Sequence, residues 1–128
     1  MCAAMSGTPK VVAFVDDDPA ARKAFKRLLS ACGYQVLVYD SAEHFLACPV
    51  GPSVYCLVVD IQLGAGMSGM ELGETLARAD RRPMPLIFMT GSDDCATRER
   101  AIAVGCVAYL RKPFTTEELN AALLNAGS

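Results

Sequence analysis

A three-layer α/β/α sandwich on a parallel five-stranded sheet is the fold class that the sequence predicts, and three observations predict it. Five short apolar runs, VVAFV (11–15), QVLVY (35–39), YCLVV (55–59), LIFMT (86–90) and VAYLR (107–111), alternate with longer segments of helical period. The runs are almost continuously apolar, as strands covered on both faces must be. The segments between them carry helix start and stop residues, so the chain reads as five β/α units joined by right-handed crossovers. With 128 residues and 52% hydrophobic content, one such domain accounts for the chain and can bury a core of its own.

The first strand, 11–15, runs straight into three aspartates and a proline. Asp18 suits the cap of the helix that follows, Pro19 its first position, and Gly33 its left-handed stop. Ala21, Ala24, Phe25, Leu28, Leu29 and Cys32 fall on one face of that helix, with Arg22, Lys23, Lys26 and Arg27 largely off it. After the second strand, Ser41 caps a short helix carrying the lone histidine, His44, which is assigned a surface or core role. Asp60 follows the third strand directly, and Thr90 stands at the end of the fourth. Gly105 stops the fourth helix, whose first turn holds Cys95. After the fifth strand, Thr115 and Glu118 form a capping box, and Leu119, Ala122, Leu123 and Ala126 make the apolar stripe of the last helix. Residues 1–10 and 126–128 read as loose ends around a domain spanning 11–126.

Charge and composition exclude several classes. Twelve Lys and Arg against fourteen Asp and Glu leave a net charge of −2, without the basic footprint of a nucleic-acid or electrostatic membrane binder. No run approaches the roughly 18–20 apolar residues of a membrane span, and the first ten residues lack the pattern of a signal peptide, so a cytoplasmic protein is expected. The cysteines, at 2, 32, 48, 56, 95 and 106, have no CxxC pair and no zinc spacing. They are read as small core-filling residues.

In an open parallel sheet, ligands sit beyond the carboxyl ends of the strands. Asp16, Asp17 and Asp18 follow the first strand, Asp60 the third, Thr90 the fourth and Lys112 the fifth. Two carboxylates about 4 Å apart repel by roughly 4 kcal/mol at an effective dielectric near 20, so such crowding calls for a cation or a bound ligand. Asp18 reads as the helix cap, which leaves the Asp16-Asp17 pair in need of either a cation or a bound ligand.

The acidic pair Asp16-Asp17, Asp60 in VVDIQL, Thr90 in FMTGS and Lys112 in YLRKPF together resemble the receiver domain of two-component response regulators, from about Val11 to Leu124. SAEHFL and GMSGMEL are most similar to the chemotaxis and nitrogen-fixation type, in the branch that often carries a helix-turn-helix output domain. The resemblance implies a flavodoxin-like (βα)5 fold with strand order 2-1-3-4-5. It implies phosphorylation of Asp60 by a sensor histidine kinase or histidine phosphotransfer protein, with Mg2+ or Mn2+ held by Asp16, Asp17, Asp60 and the carbonyl of Gln62. Lys112 and Thr90 would contact the phosphoryl group, and Tyr109 would turn in behind Thr90. That would switch the surface of the fourth helix, fifth strand and fifth helix, which could also support a dimer. The output would be a downstream protein or domain, with no nucleic-acid or membrane contact by this unit. In relatives the Lys112-Pro113 bond is cis. Such a domain is no conventional enzyme, but it catalyses its own phosphorylation and dephosphorylation.

Two departures stand out. Gly64 occupies the place of a usual proline four residues after Asp60, and the loop to Gly69 is one residue longer than expected. Gln62 and Ser92 stand where relatives face the attacking water. A dehalogenase-like phosphatase would need an acid at Gln62, and a nucleotide-binding loop would need glycines where DDDPAAR stands. The alternative that remains is a pseudo-receiver, an interaction module that works without phosphorylation.

Overall fold

A computed structural model describes residues 10–48, 54–79, 85–92 and 94–126. Strands β1 (Val11–Val15), β2 (Gln35–Tyr39), β3 (Val54–Asp60), β4 (Leu86–Thr90) and β5 (Ala108–Arg111) alternate with helices α1 (Pro19–Ala31), α2 (Ala42–Ala47), α3 (Gly69–Arg78), α4 (Cys95–Val104) and α5 (Thr116–Ala126). All four strand pairings are parallel, in the order β2-β1-β3-β4-β5. The expected runs match these strands closely, although β3 extends one residue at each end and β5 begins at Ala108.

Period-two alternation sorts the strand residues onto two cores. Val12 and Phe14 join Phe25 and Leu29 of α1 and Leu119 and Leu123 of α5 on one face. Ala13 and Val15 join Phe45 of α2, Leu72 of α3, Phe88 of β4 and Ala101 of α4 on the other. The rings of Phe14 and Phe25 stack with centroids 3.8 Å apart, fixing α1 against β1. Fully buried side chains such as Leu29, Leu72 and Leu123 each contribute about 1.5–3 kcal/mol relative to exposure.

Helix ends follow the sequence signals. Asp18 accepts from the Ala20 amide and Ser41 from the His44 amide. The Thr115–Glu118 box is reciprocal, at 2.8 and 3.0 Å. Gly33 and Gly105 have φ of +93° and +89°, as left-handed stops require. A second box, between Ser68 and Glu71, starts α3. His44 is exposed, with Nδ1 3.1 Å from Asp40 Oδ1 and its ring edge-on to Tyr39.

The cysteines correct the expectation of a core-filling role. Cys56 is buried and Cys106 half-buried, but Cys32, Cys48 and Cys95 are exposed. The exposed three stand at helix ends, as the C-caps of α1 and α2 and the first residue of α4, where the chain leaves the sheet face. Ala24, expected on the packed face of α1, is also exposed. Of the expected loose ends, residues 1–9, 127 and 128 lie outside the described residues, while Ala126 is buried in α5.

Candidate functional site

Parallel pairing brings the carboxyl ends of β1, β3, β4 and β5 to one rim. Asp60 is in register with Met89, and Thr90 with Arg111, so the residues following these strands become neighbours. Asp16, Asp60 and Thr90 are buried, with exposures of 2%, 5% and 0%. The amide of Lys112 donates to the Thr90 carbonyl at 2.8 Å, which extends the β4–β5 ladder and sends the lysine over the rim. Its Nζ lies 2.6 Å from Asp60 Oδ2 and 3.8 Å from Asp16 Oδ2. The Lys112-Pro113 peptide is cis.

Each carboxylate is oriented by backbone. Asp60 Oδ1 accepts from the Gln62 amide, and Asp16 Oδ1 from the Asp18 amide, both at 3.0 Å. Arg22 donates to the carbonyl of Asp16 at 2.8 Å, tying α1 to the same corner. Asp17 is exposed, and its Oδ2 lies over Gly64: a Cβ there would approach it to 2.7 Å. Gly64 has φ +65°, so both the backbone and the carboxylate favour glycine in place of proline.

Burial raises the pKa of Asp16, and the charges of Asp60 and Asp17 add to this, against the opposing Asp18 hydrogen bond and Lys112 charge. Lys112 is moved the other way by its partners. Burial alone would lower its pKa, but the hydrogen bond and charge of Asp60, with Asp16 and Asp17, raise it.

Asp16 Oδ2 is buried and accepts no hydrogen bond among the described residues. An unsatisfied buried carboxylate oxygen is costly, and with three acids facing one lysine, a hard cation with oxygen ligands suits this place. No three acidic, histidine or cysteine side chains among the described residues already form a cage. That is compatible with a cation such as Mg2+, which is held by one or two carboxylates and keeps several waters.

Thr90 reaches the rim, but its hydroxyl is engaged in the following loop. It donates to the Ser92 carbonyl at 2.9 Å and accepts from the Ser92 amide at 3.0 Å. Tyr109, one strand over, is half-buried, with the Arg98 guanidinium 5.3 Å from its ring centroid. The side chain of Gln62 is exposed.

The fold adds features that the sequence reading missed. Gly69 lies so close to β3 that a Cβ would collide with the Asp60 carbonyl, and its amide donates to the Ile61 carbonyl at 2.9 Å. Glu43 of α2 accepts from the Met67 amide at 2.8 Å. Glu74 and Arg100 join α3 to α4 through two hydrogen bonds, at 2.9 and 3.1 Å. An apolar groove of about 570 Å³, lined in part by Ala21, Ala24, Phe25, Leu28, Pro113 and Phe114, opens beside Asp16 and Lys112. The capping-box spacing of Ser68 and Glu71 was visible in the sequence; the Glu43, Arg100 and groove contacts bridge separate elements and carry no local pattern.

Comparison with known proteins matches this arrangement to one family. The response regulator receiver domain profile fits residues 12–124. The transcriptional regulatory protein FixJ of Bradyrhizobium diazoefficiens is 35% identical over 112 residues, covering 88% of this chain and 54% of that protein. Nodulation protein W of the same organism is 34% identical, covering 94% and 52%. The chain thus spans about half the length of these curated relatives. Among solved structures, FixJ-N superposes with TM-score 0.80 at 32% identity, covering 94% of each chain. A response regulator receiver protein from Pseudoalteromonas atlantica superposes with TM-score 0.82 at 26% identity, covering 92% of this chain and 99% of that one. The chain belongs to the response regulator receiver domains of two-component signalling systems.

Proposed function

We propose that this receiver, as a unit of residues 11–126, accepts a phosphoryl group on Asp60 in the cytoplasm. The donor is the phosphohistidine of a sensor histidine kinase or a histidine phosphotransfer protein, and Mg2+ or Mn2+ is bound alongside. The observation that carries this reading is the Lys112–Asp60 pair at 2.6 Å beside the unsatisfied Asp16 oxygen, which supplies a nucleophile, a phosphate-binding ammonium and a cation ligand in one place.

Asp16, Asp17, Asp60 and the carbonyl of Gln62 would hold the cation. When bound, it neutralises charge on the phosphoryl oxygens, the main requirement of phosphoryl transfer. The ionised carboxylate of Asp60 attacks phosphorus. The P–N bond to the donor imidazole breaks, its electron pair leaves with the ring nitrogen, and an acyl phosphate remains on Asp60. Lys112 passes from the carboxylate to a phosphoryl oxygen. Thr90 exchanges its Ser92 bonds for another phosphoryl oxygen, and Tyr109 follows, shifting the population of the α4-β5-α5 surface. Attack of water on phosphorus, next to Gln62 and Ser92, later returns the carboxylate and releases inorganic phosphate.

The groove between α1 and residues 112–114 gives the donor protein an apolar seat beside the nucleophile. FixJ is named a transcriptional regulator. By that likeness, the switched surface acts on a transcription-regulating domain or protein, or on a second copy of this chain, and this unit itself contacts no nucleic acid.

The test is intact mass and phosphate-affinity gel mobility after incubation with a small acyl-phosphate donor, with and without Mg2+. A phosphoryl adduct that requires Mg2+, forms on wild type and is lost in Asp60→Asn is expected, with slower formation in Asp17→Asn. Failure of folded, metal-loaded wild type to form the adduct with either this donor or a kinase would favour the phosphorylation-independent module.

A further inference from the structure

The loop between β3 and α3 lies between two acidic side chains. On one side, Asp17 Oδ2 stands over Gly64; on the other, Glu43 Oε2 stands over Gly66, where a Cβ would approach it to 2.8 Å. Both glycines have positive φ, +65° and +87°. The same Glu43 oxygen accepts from the Met67 amide at 2.8 Å. Met67 precedes Ser68, the α3 cap, which leads into Gly69, pressed against the Asp60 carbonyl. Glu43 is held in turn, because α2 is capped by Ser41 and packs through Ala42 and Phe45 into the core.

We infer that Glu43 is a positioning residue for the phosphorylation site: by holding the Gly66–Met67 backbone, it fixes the longer loop so that Asp17 and Gln62 meet the cation in one arrangement. This rests on the proposed Mg2+-dependent chemistry. Its action runs through an acceptor oxygen, since Glu43 touches neither Asp60 nor Lys112 in the structure. The hydrogen bond to Met67 also lowers the Glu43 pKa, so the acceptor is ionised at neutral pH. Losing one hydrogen bond of this kind raises the open-to-closed ratio of the loop about fivefold, and Mg2+ affinity should fall with the closed fraction, by up to about that factor.

The experiment compares wild type, Glu43→Ala and Glu43→Gln in three readouts: the Mg2+ dissociation constant from amide NMR titration, hydrogen exchange at the Met67 amide, and the rate of adduct formation against donor concentration. In Glu43→Ala, faster Met67 exchange, a weaker Mg2+ constant and a lower maximal rate at saturating donor are expected, with the fold retained and Tm lowered by a few degrees. Glu43→Gln, which keeps an acceptor oxygen, should restore most of each. Wild-type Mg2+ affinity in Glu43→Ala, or equal losses in both variants, would overturn the positioning role while leaving the receiver reading intact. Wild type that binds no Mg2+ would overturn both.

Discussion

The ammonium of Lys112 joins the two buried acids of the rim, 2.6 Å from Asp60 and 3.8 Å from Asp16, across 52 residues of sequence in the first case. One cation thus partly offsets two carboxylates, leaving the site short of positive charge. Replacing it by alanine should leave the fold in place and slow adduct formation by roughly a hundredfold, the usual loss on removing one preorganised donor. Lys112→Arg should fall between the two, because it keeps the charge and changes the geometry. Stopped-flow or timed-quench rates with a small donor check both, and an undiminished rate in Lys112→Ala would remove the lysine from the mechanism.

Asp16 makes a pH prediction. Its folded-state pKa is raised, chiefly by burial, above the ordinary value of 3.8. Between the two values the native state binds more protons than the unfolded one. The contribution of this group to stability is therefore largest in acid and falls as pH rises through that window. Asp16→Asn should accordingly melt higher than wild type at pH 7, and the difference should close on acidification. Wild type should gain about 2.7 kcal/mol from Mg2+ at a hundred times its dissociation constant, and Asp16→Asn less. Urea titrations across pH, with and without Mg2+, measure both effects; a lower midpoint for Asp16→Asn at pH 7 would contradict the burial argument.

A substitution at Thr90 tests the proposed switch apart from phosphorylation. Thr90→Val nearly keeps the volume and gives up both bonds to Ser92, so it should cost about 1–3 kcal/mol. The variant should still form the adduct, because Asp60 and Lys112 are untouched. The expected loss is in the response of α4 and Tyr109, read as phosphorylation-induced NMR shifts there. Normal shifts would show that the hydroxyl does not carry the switch.

Thiol accessibility offers a check on the fold. Cys56 is fully buried, and burial pushes its pKa up to about 12. Cys32, Cys48 and Cys95 are exposed. Peptide mapping after brief alkylation at pH 8 should find those three labelled and Cys56 labelled only in denaturant. Rapid native labelling of Cys56 would contradict the packing on the α1–α5 face.

Much of the architecture was legible because two local rules suffice for it. Apolar runs gave way to polar residues at Asp16, Asp60 and Thr90, and the caps at Asp18, Ser41 and Thr115 are contacts within a few residues. A parallel sheet then sends every carboxyl end to one rim, which places Asp16, Asp60, Thr90 and Lys112 together. Exposure at helix ends was less legible, since cysteine's hydropathy does not tell whether Cys32 or Cys48 has passed the edge of the sheet. Cross-element contacts such as Glu43 with Met67 depend on where loops run, and no spacing rule encodes that.

The order in which the rim residues occur along the chain has a consequence for biosynthesis. Synthesis yields Asp16, Asp17, Asp60 and Thr90 before Lys112. A nascent chain that has docked β1, β3 and β4 therefore brings its acids together before their counter-charge has left the ribosome. Their repulsion disfavours early closure of that corner until β5 pairs along β4 and delivers the lysine.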